Sequence, residues 1–149
     1  MDPASQDVIQ KEIIISAPAE RVYSAITDPE KIVAWFPNEV EGSLAVGERP
    51  ILSFGADGKT QLYIVDARPH EYFAYRWVPG SQHFMGDVLT VPNTLVEFFI
   101  TEEAEGTKVV LKESGFASLP SPHKEESLKD NNGGWEFMMG RLGKLFAAN

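Results

Sequence analysis

The chain has 149 residues, with 13 Lys and Arg against 22 Asp and Glu, a formal net charge of −9, and no cysteine. That length suits one folded domain with its own core, and 43% hydrophobic with 11% aromatic residues marks a globular chain rather than a disordered one. The missing cysteines exclude a disulfide framework, a thiolate zinc site and a thiol nucleophile, and the acid surplus argues against nucleic acid and anionic membranes, which select basic surfaces.

Residues 1–7 read as a loose tail. Asp2, Asp7, Lys11 and Glu12 leave no apolar stretch for a signal peptide. Apolar runs are short, such as residues 13–15, whereas a membrane span needs about 20 in a row. A cytoplasmic protein is predicted. Residues 8–16 (VIQKEIIIS) are β-branched and predict a strand. Pro18 suits the first turn of a helix carrying Val22, Tyr23 and Ile26 at helical spacing. Asp28 and Pro29 stop it and start a second short helix to about Ala34.

The middle predicts antiparallel strands over 50–54, 60–66 and 71–78, with turns at 55–58 and 67–70. Residues 94–101 and 107–114 predict a hairpin with a loop over 102–106. Val96, Phe98 and Ile100 share one face of it; Thr107, Val109, Leu111 and Glu113 share a face of the partner strand. Ser121 and Pro122 start a closing helix over 121–148, with Glu125 and Glu126 favoured by the dipole of its first turn. Trp135, Met138, Met139, Leu142, Leu145 and Phe146 give it one apolar face. Residues 131–134 (NNGG) are a weak point in that helix, and Gly140 and Gly143 predict close helix packing. The order is strand, two short helices, antiparallel strands, long helix: an α+β fold whose sheet needs a cover, with the last helix as the obvious one.

Four stretches carry a family resemblance: residues 15–23 (ISAPAERVY) with 25–30 (AITDPE) and Trp35; Val46, Gly47 and Phe54; residues 69–77 (PHEYFAYRW); and Gly106 and Thr107 through Gly115 and Phe116, with Gly134, Trp135 and Leu142. In this order the chain resembles the START-like (SRPBCC) superfamily, and within it the homologues of the activator of heat-shock protein 90 ATPase. Tyr23 stands where that family usually has Trp. The resemblance spans residues 9–148. It implies a helix-grip fold, a sheet wrapped around a long C-terminal helix, as a single START-like domain over residues 1–149. It also implies a cavity between the two that often takes apolar ligands.

The expected lining is Trp35, Phe54, Tyr75, Trp77, Phe98, Glu113, Phe116, Trp135 and Met139, joined by Phe36. Ligand pockets are mostly apolar with a few placed polar groups; the alternative is that these side chains fill the interior themselves. Alternation turns Glu113 inward, where a carboxylate is rare unless paired or functional; the default for an acid at a strand end is fraying into solvent. Glu97 is expected to face water, and Arg76 either pairs with a carboxylate or lies on the outer face. His70, His83 and His123 lack ligand spacing, so neither a metal nor a cofactor is expected. No G-x-S-x-G is present, and residues 140–144 (GRLGK) fail as a phosphate loop. The long connection 79–93 reads as a flap over the cavity mouth, a dimer contact, or a strand extension packed on the body.

Three functions follow. The first is binding of a small hydrophobic or aromatic molecule. The second is a cyclase- or hydrolase-type enzyme in the same cavity, using Glu113 and Tyr75 with Arg76 or His83. The third, ranked last, is a co-chaperone-like module for heat-shock protein 90, since the resemblance's larger members carry an additional domain for which this chain has no room. A homodimer is an open possibility.

Overall fold

The computed structural model describes residues 7–79 and 84–147. Of the expected tail, residues 1–6 lie outside this set, and the Asp7 carboxylate accepts a hydrogen bond from Ala117 N–H.

Strand β1 (Val8–Ile15) leads into helices α1 (Ala19–Thr27) and α2 (Pro29–Ile32). Pro18 precedes α1, and the first amide of that helix, Ala19 N–H, donates to Glu102 across 3.1 Å. Asp28 caps α2, its carboxylate accepting from Glu30 N–H at 2.9 Å, with Pro29 at the first helical position. Ala19, Val22, Ala25, Ile26 and Ile32 are the buried side chains that tie these helices to the core.

Six short strands follow in two hairpin runs: β2 (Glu39–Glu41), β3 (Ile51–Ser53), β4 (Lys59–Gln61), β5 (Tyr63–Arg68), β6 (Tyr72–Trp77), β7 (Thr94–Glu103). Strand β8 (Gly106–Ser114) completes the set. Five strands form one antiparallel sheet in the order β1-β8-β7-β6-β5; β2-β3-β4 form a smaller one. The expected strand 60–66 therefore belongs to two sheets. The inside-outside alternation runs unbroken through Thr60, Leu62 and Ile64, but the hydrogen-bonding partner changes at Leu62 from β3 to β6. A side-chain period of two reports which face is buried, not which strand is the neighbour. Strand β2 was not expected, because two of its three residues are exposed acids.

The β7–β8 hairpin is tighter than expected. Its strands extend to Glu103 and Gly106, leaving a two-residue turn rather than a loop over 102–106. Gly106 has φ +136°, and a Cβ there would lie 2.2 Å from the Ile15 carbonyl oxygen, so the close approach of β1 demands glycine.

Helix α3 (His123–Ala147) runs through Gly133 and Gly134 without a break and buries Ser127, Trp135, Met139, Leu142 and Phe146 against the sheet. Leu145, expected on this face, is exposed. The glycines do not serve close packing: a Cβ at Gly133, Gly134, Gly140 or Gly143 would meet nothing within 4 Å. The α+β architecture, a sheet closed by a long C-terminal helix, is the helix-grip arrangement that the resemblance implied.

Within the 79–93 connection, residues 84–93 are held to the body. Gln61 donates its main-chain N–H to the Phe84 carbonyl at 3.0 Å, and its side-chain oxygen accepts from Gly86 N–H at 2.7 Å. Asp87 faces Arg49 at 3.6 Å, and Val88 is buried. Among the described residues no helix is long and apolar enough to cross a membrane.

Candidate functional site

Strand register assembles the site. Tyr75 on β6, Val96 on β7 and Glu113 on β8 form one rung across the sheet, and Trp77 opposite Thr94 forms another. Alternation directs all five side chains to the face that α3 covers, and all five are buried. Asn131 and Trp135 on α3 stand four residues apart, hence on one helix face, and that face meets Glu113.

Glu113 is fully buried, with a relative exposure of 0%. The default expectation of a frayed strand end is corrected: β1 extends alongside, pairing Ile9 with Glu113 and Val8 with Ser114, so the ladder runs past the acid and holds it inward. Four side chains donate to its carboxylate. Trp135 Nε1 and Asn131 Nδ2 bond Oε1 at 2.7 and 2.9 Å. Trp77 Nε1 and Thr94 Oγ1 bond Oε2 at 2.9 and 2.5 Å. A carboxylate offers about four lone-pair sites, and here all are used. Among the described residues Glu113 forms no ion pair. A buried charge is costly unless its hydrogen bonds are made; neutral donors alone meet that demand. The acid thereby joins three elements, β6, β7 and α3, at one point.

Tyr75 behaves oppositely. It is 1% exposed, and its hydroxyl has no hydrogen-bond partner among the described residues. Burial first, and the Glu113 charge second, push its phenol well above the ordinary value of 10.0. It therefore keeps its proton at neutral pH and is a donor without an acceptor.

The aromatic side chains expected to line a cavity pack against one another. Phe36 is the hub, with ring centroids 5.3 Å from Trp35, 5.3 Å from Phe54, 6.1 Å from Trp77 and 5.2 Å from Trp135. Trp135 lies 5.8 Å from Trp77 and 6.1 Å from Phe98, and Tyr75 lies 5.3 Å from Trp77. Phe54 is half-buried and packs against the core; Phe116 and Met139 are core residues. Trp35 spends its indole N–H on the Ala25 carbonyl at 2.8 Å, pinning the turn after α2 to α1. Thr94 and Asn131 were not among the expected site residues. The inward alternation of Val96 and Phe98, extended backward, identifies Thr94; the i, i+4 step from Trp135 identifies Asn131.

Other candidates lie elsewhere. Arg76 donates to the Asn93 side-chain oxygen at 3.0 Å, on the face opposite Tyr75 and Trp77. Glu97 also faces outward and accepts from the Tyr72 hydroxyl at 2.5 Å. His123 bonds the Pro79 carbonyl at 2.9 Å, and His83 lies outside the described residues. His70 has a left-handed φ of 69° and stands edge-on to Tyr23, 5.8 Å away. It borders two surface grooves beside α1, neither of which is lined by a residue of the aromatic cluster or by Glu113. Among the described residues no three His, Cys, Asp or Glu side chains cluster to hold a metal.

Comparison with known proteins places this geometry in context. The family model described as "Activator of Hsp90 ATPase homolog 1-like protein" matches residues 16–147. No curated protein matches the chain. Three solved structures are similar in fold. Protein MLL2253 from Mesorhizobium loti aligns with TM-score 0.76 at 23% identity, over 93% of this chain and 95% of that one. DynU16, described as a protein of the dynemicin biosynthetic locus, aligns with TM-score 0.75 at 24% identity, over 93% of this chain and 46% of that one. The Aha1 dimer from Colwellia psychrerythraea aligns with TM-score 0.75 at 18% identity, over 93% of this chain and 95% of that one.

Proposed function

The chain belongs to the Activator of Hsp90 ATPase homolog 1-like family, and we propose that it binds a small hydrophobic or aromatic molecule between its five-stranded sheet and α3. One observation carries the reading. Beside the cluster of aromatic rings stand two buried polar groups, a carboxylate with every bond made and a phenol with none among the described residues. Ligand sites combine apolar walls with few, convergent polar groups, and a buried donor left alone in a native interior calls for an explanation. Trp77, Trp135, Phe98 and Phe36 would supply flat walls for such a guest. The similarity to DynU16, a protein from a biosynthetic locus, is compatible with a small organic guest.

A cyclase- or hydrolase-type reaction would draw on the same two groups. Binding is the better-supported reading, because Glu113 cannot accept a substrate proton without giving up one of its four donors. Arg76 points to the other face and so contributes nothing to such chemistry here.

Native mass spectrometry of the purified protein, followed by solvent extraction, tests the reading. The expected result is a bound mass that denaturation releases as a small uncharged organic molecule. A chain that carries no guest and takes up no added aromatic compound sinks it.

A further inference from the structure

The polar inventory of this interior is nearly exhausted by its own contacts. Trp77 and Trp135 spend their N–H groups on Glu113, Asn131 gives it one amide hydrogen, and Trp35 spends its N–H on Ala25. Thr94 donates to the same carboxylate, and both oxygens of Glu113 are doubly occupied. Among the described residues two buried side-chain polar atoms have no partner: Thr60 Oγ1, on the small sheet, and Tyr75 Oη, on the rung of Glu113. The Tyr75 ring packs edge-on against Trp77 of the aromatic cluster. An unmet N–H or O–H is rarer in native interiors than an under-used acceptor lone pair. What the phenol lacks is therefore an acceptor. A negative carboxylate on the same rung disfavours a guest that brings that acceptor as an anion.

We infer that Tyr75 is the specificity-determining residue of the interior site, and that its guest is an uncharged aromatic molecule bearing a carbonyl or ether oxygen that accepts the Tyr75 hydroxyl. This rests on the ligand-binding reading above and adds the chemical class of the ligand. Glu113 has a different part: it positions Trp77 and Trp135, whose rings would flank the guest, and makes no bond to it.

A matched pair of probes tests this: methyl naphthyl ketone and the corresponding isopropenyl naphthalene, alike in shape but differing in the acceptor. Each is titrated calorimetrically into the wild type and into Tyr75→Phe, with thermal melts on both proteins. The wild type is expected to prefer the ketone by about tenfold, the worth of one buried hydrogen bond. In Tyr75→Phe the ketone falls to the level of the alkene, the alkene is unchanged, and the melting temperature does not drop, since an unpartnered hydroxyl has been removed. Equal binding of the two probes by the wild type overturns the inference while leaving ligand binding intact. A ketone preference that survives in Tyr75→Phe also overturns it, because another group then reads the oxygen. If neither probe binds the wild type, the ligand-binding reading and the inference fall together.

Discussion

The sheet carries a tyrosine and a glutamate on each of its faces, and the two sets behave differently. Outside, the Tyr72 hydroxyl donates to Glu97 at 2.5 Å, and each answers the other. Inside, Tyr75 and Glu113 lie on one rung, with Val96 between them, and do not bond; Glu113 is taken by four other donors and Tyr75 is left over. Water makes the outer pair replaceable, since both groups find solvent partners if it breaks. The inner groups have no such recourse. Identical residue types thus form a minor surface contact on one face, and on the other a structural joint beside an unmet donor.

The comparison breaks most severely at Trp135. Trp135→Ala removes a ring that touches Phe36, Trp77 and Phe98 and withdraws one donor from Glu113. A loss of about 3–5 kcal/mol is expected in chemical denaturation, as for large-to-small core changes, together with weakened uptake of aromatic probes. Unchanged stability would mean that α3 is held without this contact.

Glu113→Gln is the sharper chemical test. Its amide group would face donors where an oxygen stood, leaving buried N–H or O–H groups unmet at about 1–3 kcal/mol each. A total loss of roughly 2–4 kcal/mol is predicted from that cost. The outer control, Glu97→Gln, should stay within about 0.5 kcal/mol, as surface substitutions usually do. Equal effects from the two substitutions would erase the distinction between the faces.

How much of this could be read from residues alone differs between fold and site. The hairpin, the closing helix and the two short helices were legible because each has an unbroken period and recognisable ends: Asp28 with Pro29, Ser121 with Pro122, Gly106. The partner change at Leu62 was not, since alternation continues through it. The aromatic wall was legible because large apolar side chains at period two and period 3.6 point to one interior. The polar heart was only half legible. Glu113 lay on the inward face by alternation, yet its burial depends on β1 running past it, a pairing between residues 9 and 113 that local pattern does not specify. Thr94 and Asn131 resemble ordinary surface residues until register and helix phase bring them to the carboxylate.

The smallest expected effect concerns the outer pair. Tyr72→Phe should cost under about 1 kcal/mol at neutral pH, because the pair is only partly buried and water can replace either partner. Its pH dependence has a definite sign. Burial, then the hydrogen bond to Glu97 and its charge, raise the Tyr72 phenol above the ordinary 10.0. The unfolded chain thus loses this proton first, and stability falls as pH rises past 10.0 toward the folded value. Urea melts between neutral and strongly alkaline pH should show that fall, and Tyr72→Phe should make it shallower. Tyr75 is raised in the same direction and keeps part of the slope.

The central claim is that the buried Tyr75 hydroxyl, unpartnered among the described residues, is offered to a guest. A crystal structure of the protein with methyl naphthyl ketone tests it most directly. The account predicts the probe between the sheet and α3, its carbonyl oxygen within about 2.5–3.0 Å of Tyr75 Oη, with all four donors still on Glu113. A probe lodged instead in the grooves beside His70, or an interior that excludes it, would contradict the account.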